Sequence, residues 1–210
     1  MTAKLRGLPP GRAGRMWLKR RLVVAARGAD LLEQKLRILV GEEQNFAMLV
    51  EQTEAEWDDA ARDLERWTLR ASLLSGERGL RLAGDGAYAE VEVRWRLTMG
   101  VRYPADVSCE QPRRSAADAV PDNTALLHAV AAAERAVRAG LAQAVAAAAL
   151  TAVRREIVST RRQLRAVRQR WTPRLEAAGR ALTIALDDQE RDEGIRLHWA
   201  AQPPRGRTVP

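Results

Sequence analysis

The sequence predicts an all-α dominated fold: a long antiparallel two-helix, left-handed coiled coil of N- and C-terminal helices, with a small central insert containing a β-hairpin. Three observations carry this prediction. Apolar side chains recur at alternating steps of three and four along Leu18, Leu22, Ala25, Ala29, Leu32, Leu36, Leu39, Glu43, Phe46, Val50, Thr53, Trp57, Ala60, Leu64, Trp67, Ala71 and Leu74, with only Glu43 and Thr53 polar. The same spacing returns in the last third of the chain, through Leu150, Val153, Ile157, Thr160, Leu164, Val167 and Trp171. Between the two runs the period drops to two. Seven-residue repeats held over this length wind a helix left-handed around a partner of matching length.

Residues 1–14 are basic and broken by Gly7, Pro9, Pro10, Gly11 and Gly14, which predicts a loose tail. A helix over 15–75 follows, roughly 85 Å long at 1.5 Å per residue, and ends where Ser75-Gly76 supplies a stop. Residues 76–121 form the insert. Within it, Val91, Val93, Trp95, Leu97 and Met99 alternate with Glu90, Glu92, Arg94, Arg96 and Thr98, the pattern of a half-buried strand. Gly84-Asp85-Gly86 is read as the hairpin turn, with Leu80-Arg81-Leu82 as the opposing strand. Gly100 marks a second turn or bulge, and Pro104 the end of extended structure. A second long helix over 122–199, capped by Asp122 or Asn123, pairs with the first. After Trp171 its spacing slips by one, to Leu175, Ala178, Leu182 and Ala185, beside Pro173, so a bend or local unwinding is expected there. Residues 200–210 form another loose tail.

Charge suggests how the helices meet. Lys19, Arg20, Arg21 and Arg27 are basic, and Asp187, Asp188, Glu190, Asp192 and Glu193 are acidic. An antiparallel hairpin with facing residue numbers totalling about 215 joins these groups, and sets Glu51, Glu54, Glu56, Asp58, Asp59 and Asp63 against Arg154, Arg155, Arg161, Arg162 and Arg165. Trp57, Trp67 and Trp171 fall on seam positions, where packing is their expected role. Trp17 and Trp199 would meet at one end of the hairpin.

Composition narrows the function. The 210 residues are 46% apolar but only 4% aromatic, which suits paired helices with small seam residues better than a thick core. A net charge of +8 and a pI of about 10.8 favour acidic partners. One cysteine, Cys109, excludes an internal disulfide and fits a reducing, cytoplasmic setting. Together with His128 and His198 it lacks metal-ligand spacing, so no metal is expected. No run approaches the ~18 uncharged residues of a membrane span, so a soluble or peripheral protein is expected. There is no Walker-type phosphate loop, no H-E-x-x-H and no nucleophile elbow. Gly84, Gly86 and Ala89 match G-x-G-x-x-A, but ahead of a strand instead of after one, which is the wrong context for a dinucleotide. No cofactor and no catalytic role are therefore expected.

Three blocks in order resemble the D subunits of the V-type and A-type rotary ATPases. Leu18-Lys19-Arg20-Arg21-Leu22, with Ala25, Gly28, Leu31-Leu32 and Lys35, is similar to that family's helix opening. Met99-Gly100-Val101-Arg102-Tyr103-Pro104 resembles its M-G-V-x-x-P. Arg161-Arg162, Pro173, Leu175, Leu182, Glu190-Arg191-Asp192-Glu193 and Arg196-Leu197 resemble its C-terminal helix. The chain departs from the family pattern at Gln163-Leu164-Arg165, Thr172 and His198.

The resemblance implies a non-catalytic rotor axle, in the central stalk of a V/A-type ATPase or ATP synthase. Such an axle passes torque between ATP hydrolysis or synthesis in the catalytic A and B subunits and proton or sodium movement through the membrane ring. Its partners would be the A and B subunits, the small F subunit and the C socket (also called d). On this reading Lys19, Arg20, Arg21, Arg27, Arg161, Arg162, Arg165 and Trp199 face the catalytic hexamer, and Met99, Gly100, Val101 and Pro104 face the lower stalk. The complex would sit on the cytoplasmic side, peripheral to the membrane.

Two other classes share part of this signature. A basic coiled coil that binds nucleic acid would carry one uninterrupted basic stripe and bind with steep salt dependence. A scaffold coiled coil would form homodimers in place of an intrachain hairpin.

Overall fold

The computed structural model describes residues 9–83, 88–111 and 123–201. The elements are α1 (Gly11–Ala83), β1 (Glu90–Thr98), β2 (Val101–Glu110), α2 (Thr124–Ala166), a π-helical turn (Val167–Trp171) and α3 (Thr172–Ala201). They divide into two compact units, one drawn from Met1–Gln34 and Thr160–Pro210 and the other from Lys35–Ser159.

In the unit built on Lys35–Ser159, the predicted seam is the packed face of α1. Leu39 is 1% exposed and joins Val101, Tyr103, Ala149, Val153 and Ile157 in one core, with Leu36, Val40 and Phe46 against it. A second core gathers Ala71, Ala125, Leu126 and Ala129, with Trp67 and Leu80 at its side. The two polar seam positions are both satisfied. Glu43 accepts a bond from Arg154 Nε at 2.9 Å, and the Thr53 hydroxyl donates to the Leu49 carbonyl at 2.8 Å. A buried hydroxyl left without that bond would cost about 1–3 kcal/mol.

Facing pairs fix the register of this unit. Arg154 sits on Glu43 and Arg135 on Asp63, so facing numbers total 197 and 198. Gly140 lies under Trp57, where an added Cβ would stand 3.0 Å from the indole nitrogen. Trp67 stacks on His128 with 4.3 Å between ring centroids. The charge-based total of about 215 is thus corrected by some 18 residues, or roughly 27 Å along a helix. Exposed ion pairs contribute about 0.2–1 kcal/mol each, whereas each buried aliphatic seam residue contributes about 1.5–3. Apolar fit therefore overrules charge matching.

The unit built on Met1–Gln34 and Thr160–Pro210 is corrected in the same direction by less, its facing numbers totalling 201 and 202. Arg168 meets Glu33 at 2.5 Å and Arg12 meets Glu190 at 3.3 Å. Arg27 therefore does not reach Asp188, and Trp199, 70% exposed, lies well past Trp17 in place of meeting it. Leu18, Ala29, Thr160 and Leu175 are buried. The expected slip beside Pro173 is a π-helical turn over Val167–Trp171. One turn of π-helix absorbs one extra residue, which is the size of the slip, and proline removes the N–H that an α-helical ladder would need there. The turn leaves Trp171 exposed, off the seam it was assigned to.

The hairpin is present but built from other residues. Its strands are β1 and β2, antiparallel, with Thr98 opposite Val101 and Glu90 opposite Glu110. Met99 and Gly100 form the two-residue turn, at φ of 50° and 80°, the positive pair that a type I′ hairpin requires. Leu80-Arg81-Leu82 belongs to α1, which breaks at Gly76 (φ 65°, ψ 177°) and resumes helical conformation to Ala83. Gly84-Asp85-Gly86 lies outside the described residues. Pro104 does not end the strand; it sits within β2 opposite Trp95, beside the register shift between Arg94 and Trp95, the kind of irregularity to which proline in a sheet is confined.

β1 is not half-buried. Its apolar side chains face outward, Trp95 54% and Leu97 69% exposed, while Val101, Tyr103 and Pro104 of β2 supply the buried contact. Tyr103 meets the edge of Phe46 at 5.1 Å between centroids and shares a 3.0 Å hydrogen bond with Thr98. α2 starts with Asn123 as cap: the Leu126 N–H donates to its Oδ1 at 2.9 Å, and its Nδ2 donates to Ser75 Oγ. Gln111 donates to the Glu134 carbonyl at 3.3 Å.

One expectation about hydropathy is also corrected. A window of 18 residues within Thr124–Ala201 averages 1.5, enough by length and composition to cross a membrane. Alanine supplies that apolarity in small increments, and Ala132, Ala136, Ala146 and Ala149 are buried. A search for unbroken uncharged runs misses such a window.

Candidate partner-binding surfaces

Two surfaces present groups that internal packing leaves over. The first lies on the unit of Met1–Gln34 and Thr160–Pro210. Lys19, Arg20, Arg21 and Arg27 stand exposed on α1, and Arg161, Arg162 and Arg165 on α2. Heptad packing aims these positions away from the seam that holds Leu18, Ala29 and Thr160. None of the seven makes an ion pair among the described residues, while Arg12, Arg168 and Arg191 do. The register is the cause. With Arg12 on Glu190, the acidic stretch 187–193 lies beyond the reach of 19–27, so the cations that charge matching had assigned to it remain unmet. Arg21 lies over the Trp17 ring at 5.0 Å, a contact worth about 0.5–1 kcal/mol at an exposed site.

The second surface is the hairpin, on the other unit. Val91, Val93, Trp95 and Leu97 give β1 a run of exposed apolar side chains, and Arg102 covers the Trp95 ring at 4.7 Å. Met99 and Gly100 are exposed at the tip. Val101 and Pro104, expected at the lower-stalk surface, are buried, Val101 in the core shared with α1 and α2. Arg94 pairs with Asp106 across the strands. Sequence reasoning placed the β1 apolar residues on the buried face because alternation reports that a strand has two unlike faces without saying which one is covered.

Sequence reasoning also missed a groove between α1 and α3. Arg15, Leu18, Lys19, Leu22, Gly179, Arg180, Thr183 and Ile184 line it, an open groove of about 460 Å³.

Little here resembles a reaction centre. Among the described residues no group of three or more His, Cys, Asp or Glu side chains converges as a metal site. Cys109 is half-buried, beside Leu49, Thr53, Arg138 and Val145 in a shallow groove under β2. The Arg62 guanidinium, hydrogen-bonded to Asp59, has its pKa raised further above the physiological range, so its charge is permanent.

The family model that describes the D subunit of ATP synthase matches residues 16–202. The D subunit of a V-type ATP synthase from Anaeromyxobacter sp. (strain Fw109-5) is 28% identical over 207 residues, which cover 94% of each chain. The family match begins at the first turns of α1, takes in the hairpin and ends with α3, so this chain belongs to the family of ATP synthase D subunits.

Proposed function

We propose that this chain is the non-catalytic rotor shaft of a V/A-type ATPase or ATP synthase. In that role it transmits torque between the catalytic A/B hexamer and proton or sodium translocation through the membrane ring. One observation carries the reading: most of the apolar seam is covered inside the molecule, while Lys19, Arg20, Arg21, Arg27, Arg161, Arg162 and Arg165 stay exposed and without an ion pair among the described residues. A rotor inside a ring must resist twisting without locking to one ring position. Interlocked seams supply the first property. Exposed cations supply the second, because each contact with a passing carboxylate contributes about 0.2–1 kcal/mol and exchanges readily.

On this reading the seven cations and Trp199 face acidic loops of the A and B subunits. Met99, Gly100 and the apolar run on β1 face the lower stalk, where the F subunit and the C/d socket are the partners. The complex is cytoplasmic and peripheral, and this chain binds no nucleotide.

Co-purification tests the membership directly. The tagged chain should retain proteins bearing a Walker-type phosphate loop, and should lose them when Arg161 and Arg162 are both changed to glutamate. ATP-driven rotation with unaltered torque in that double variant would refute the role given to these cations.

A further inference from the structure

We infer that β1 pairs edge to edge with the β1 of a second copy of this chain, antiparallel about Val93, joining two hairpins into one four-stranded sheet in the free protein. β1 bonds to β2 alone in a two-stranded sheet. Among the described residues its other edge therefore has no strand beside it, and its outward backbone N–H and C=O groups are available to one. The hairpin meets the helices through Val101 and Tyr103 of β2, and eight of the nine residues of β1 are exposed. A strand edge of this length recruits another strand unless something blunts it. β1 contains no proline, and its charges are ordered so that they attract a copy of themselves.

Those charges select both the occupant and the register. Along one face run Glu90, Glu92, Arg94 and Arg96, two anions followed by two cations. When the strand lies antiparallel on its copy with Val93 opposite Val93, Glu90 faces Arg96 and Glu92 faces Arg94, each pair occurring twice by symmetry. On the other face Val91 then meets Trp95, an aromatic against a β-branched residue. Opposite charges and aromatic–aliphatic pairs directly across a ladder favour pairing, and like charges oppose it. Moving the register by two residues sets Glu92 against Glu92 or Arg94 against Arg94. Moving it by one puts charged side chains on the apolar face, and an in-register parallel arrangement sets every charge against its like. Arg94 already meets Asp106 within its own hairpin, whereas Glu90, Glu92 and Arg96 make no ion pair among the described residues. The interface is one pair of short strands, so the dimer is weak and reversible. On the rotor reading the same strand faces the lower stalk, so pairing belongs to the chain before assembly and a stalk partner displaces the second copy.

Sedimentation equilibrium of the full-length chain should show monomer and dimer exchanging in the micromolar range. Arg96→Glu and Glu90→Arg should each weaken dimerisation at least tenfold, because each creates two like-charge pairs across the two-fold axis, with circular dichroism unchanged. Mixing the two variants should restore association, and so should both changes in one chain, which keeps the test intact if either single variant folds poorly. In a Cys109→Ser background, Val93→Cys should link two copies by a disulfide under an added oxidant, since the residue faces itself. Leu97→Cys should not, because the two copies of that position stand about 26 Å apart along the paired strands. A monomer at every concentration, a dimer indifferent to all the charge variants, or equal linking at the two cysteine positions would overturn the pairing. The pairing and the rotor role fail separately. A chain that stays monomeric yet co-purifies with a Walker-type subunit refutes the pairing alone, and one that pairs in this register yet retains no such subunit refutes the rotor reading alone.

Discussion

Leu39 and Leu74 occupy equivalent heptad positions, yet one is 1% and the other 70% exposed, so replacing each with alanine separates pattern from packing. Leu39 touches the core that holds Val101 and Tyr103 of β2 with Ala149, Val153 and Ile157 of α2. Leu→Ala there removes about three methylene equivalents at ~0.8 kcal/mol each, near 2.4 kcal/mol, and the cavity left between a strand and two helices brings the loss to about 2–5 kcal/mol. For a chain of this length 1 kcal/mol shifts Tm by about 2–4 °C, so Leu39→Ala should lower Tm by roughly 5–15 °C. Leu74→Ala removes atoms that already meet solvent and should stay within about 0.5 kcal/mol of the parent. Urea and thermal unfolding followed by circular dichroism at 222 nm measures both. Comparable losses at the two positions would refute the claim that packing, and not the repeat alone, determines which seam residues stabilise the fold.

Two further outcomes test particular elements. With Cys109→Ser as background, Glu43→Cys combined with Arg154→Cys should cross-link within one molecule under a short bifunctional maleimide, while Arg27→Cys with Asp188→Cys should not. Efficient linking of the second pair would restore the charge-matched register. Asn123→Ala removes the bond to the Leu126 N–H and should cost about 1 kcal/mol. Its signature is faster amide exchange confined to the first turn of α2, so exchange spread evenly over the helix would argue against a capping role.

Most of the architecture was legible in the heptads. Steps of three and four from Leu18 to Ala71 can be satisfied by one structure only, a helix whose apolar stripe is covered by another helix, and these residues are the ones the fold packs. The one-residue slip after Trp171 likewise specified an interruption before its geometry was known. A period-two stretch announced a strand at 90–98, and a glycine at position 100 announced a turn. Asn123 was legible as a cap because its side chain acts on its own next turn. All of these are local properties, settled by residues within one or two turns of each other.

Register, facing and occupancy were not legible, for a common reason. Heptads repeat, so sliding one helix past another by whole repeats leaves the apolar pattern satisfied, and weak surface charges then appear to choose. The volumes of Trp57 against Gly140 and of Leu39 against Tyr103 decide instead, and those contacts join residues far apart in sequence. Which strand of the hairpin packs on the helices, β2 through Val101 and Tyr103 and not β1, is set by tertiary contacts that alternation cannot encode. Once packing had set the register, Lys19, Arg20, Arg21 and Arg27 were carried out of reach of the acidic stretch 187–193. The sequence by itself determined that two helices must pair; tertiary packing decided which cations were left for other molecules, because close contact between large side chains outweighs attraction between solvated charges.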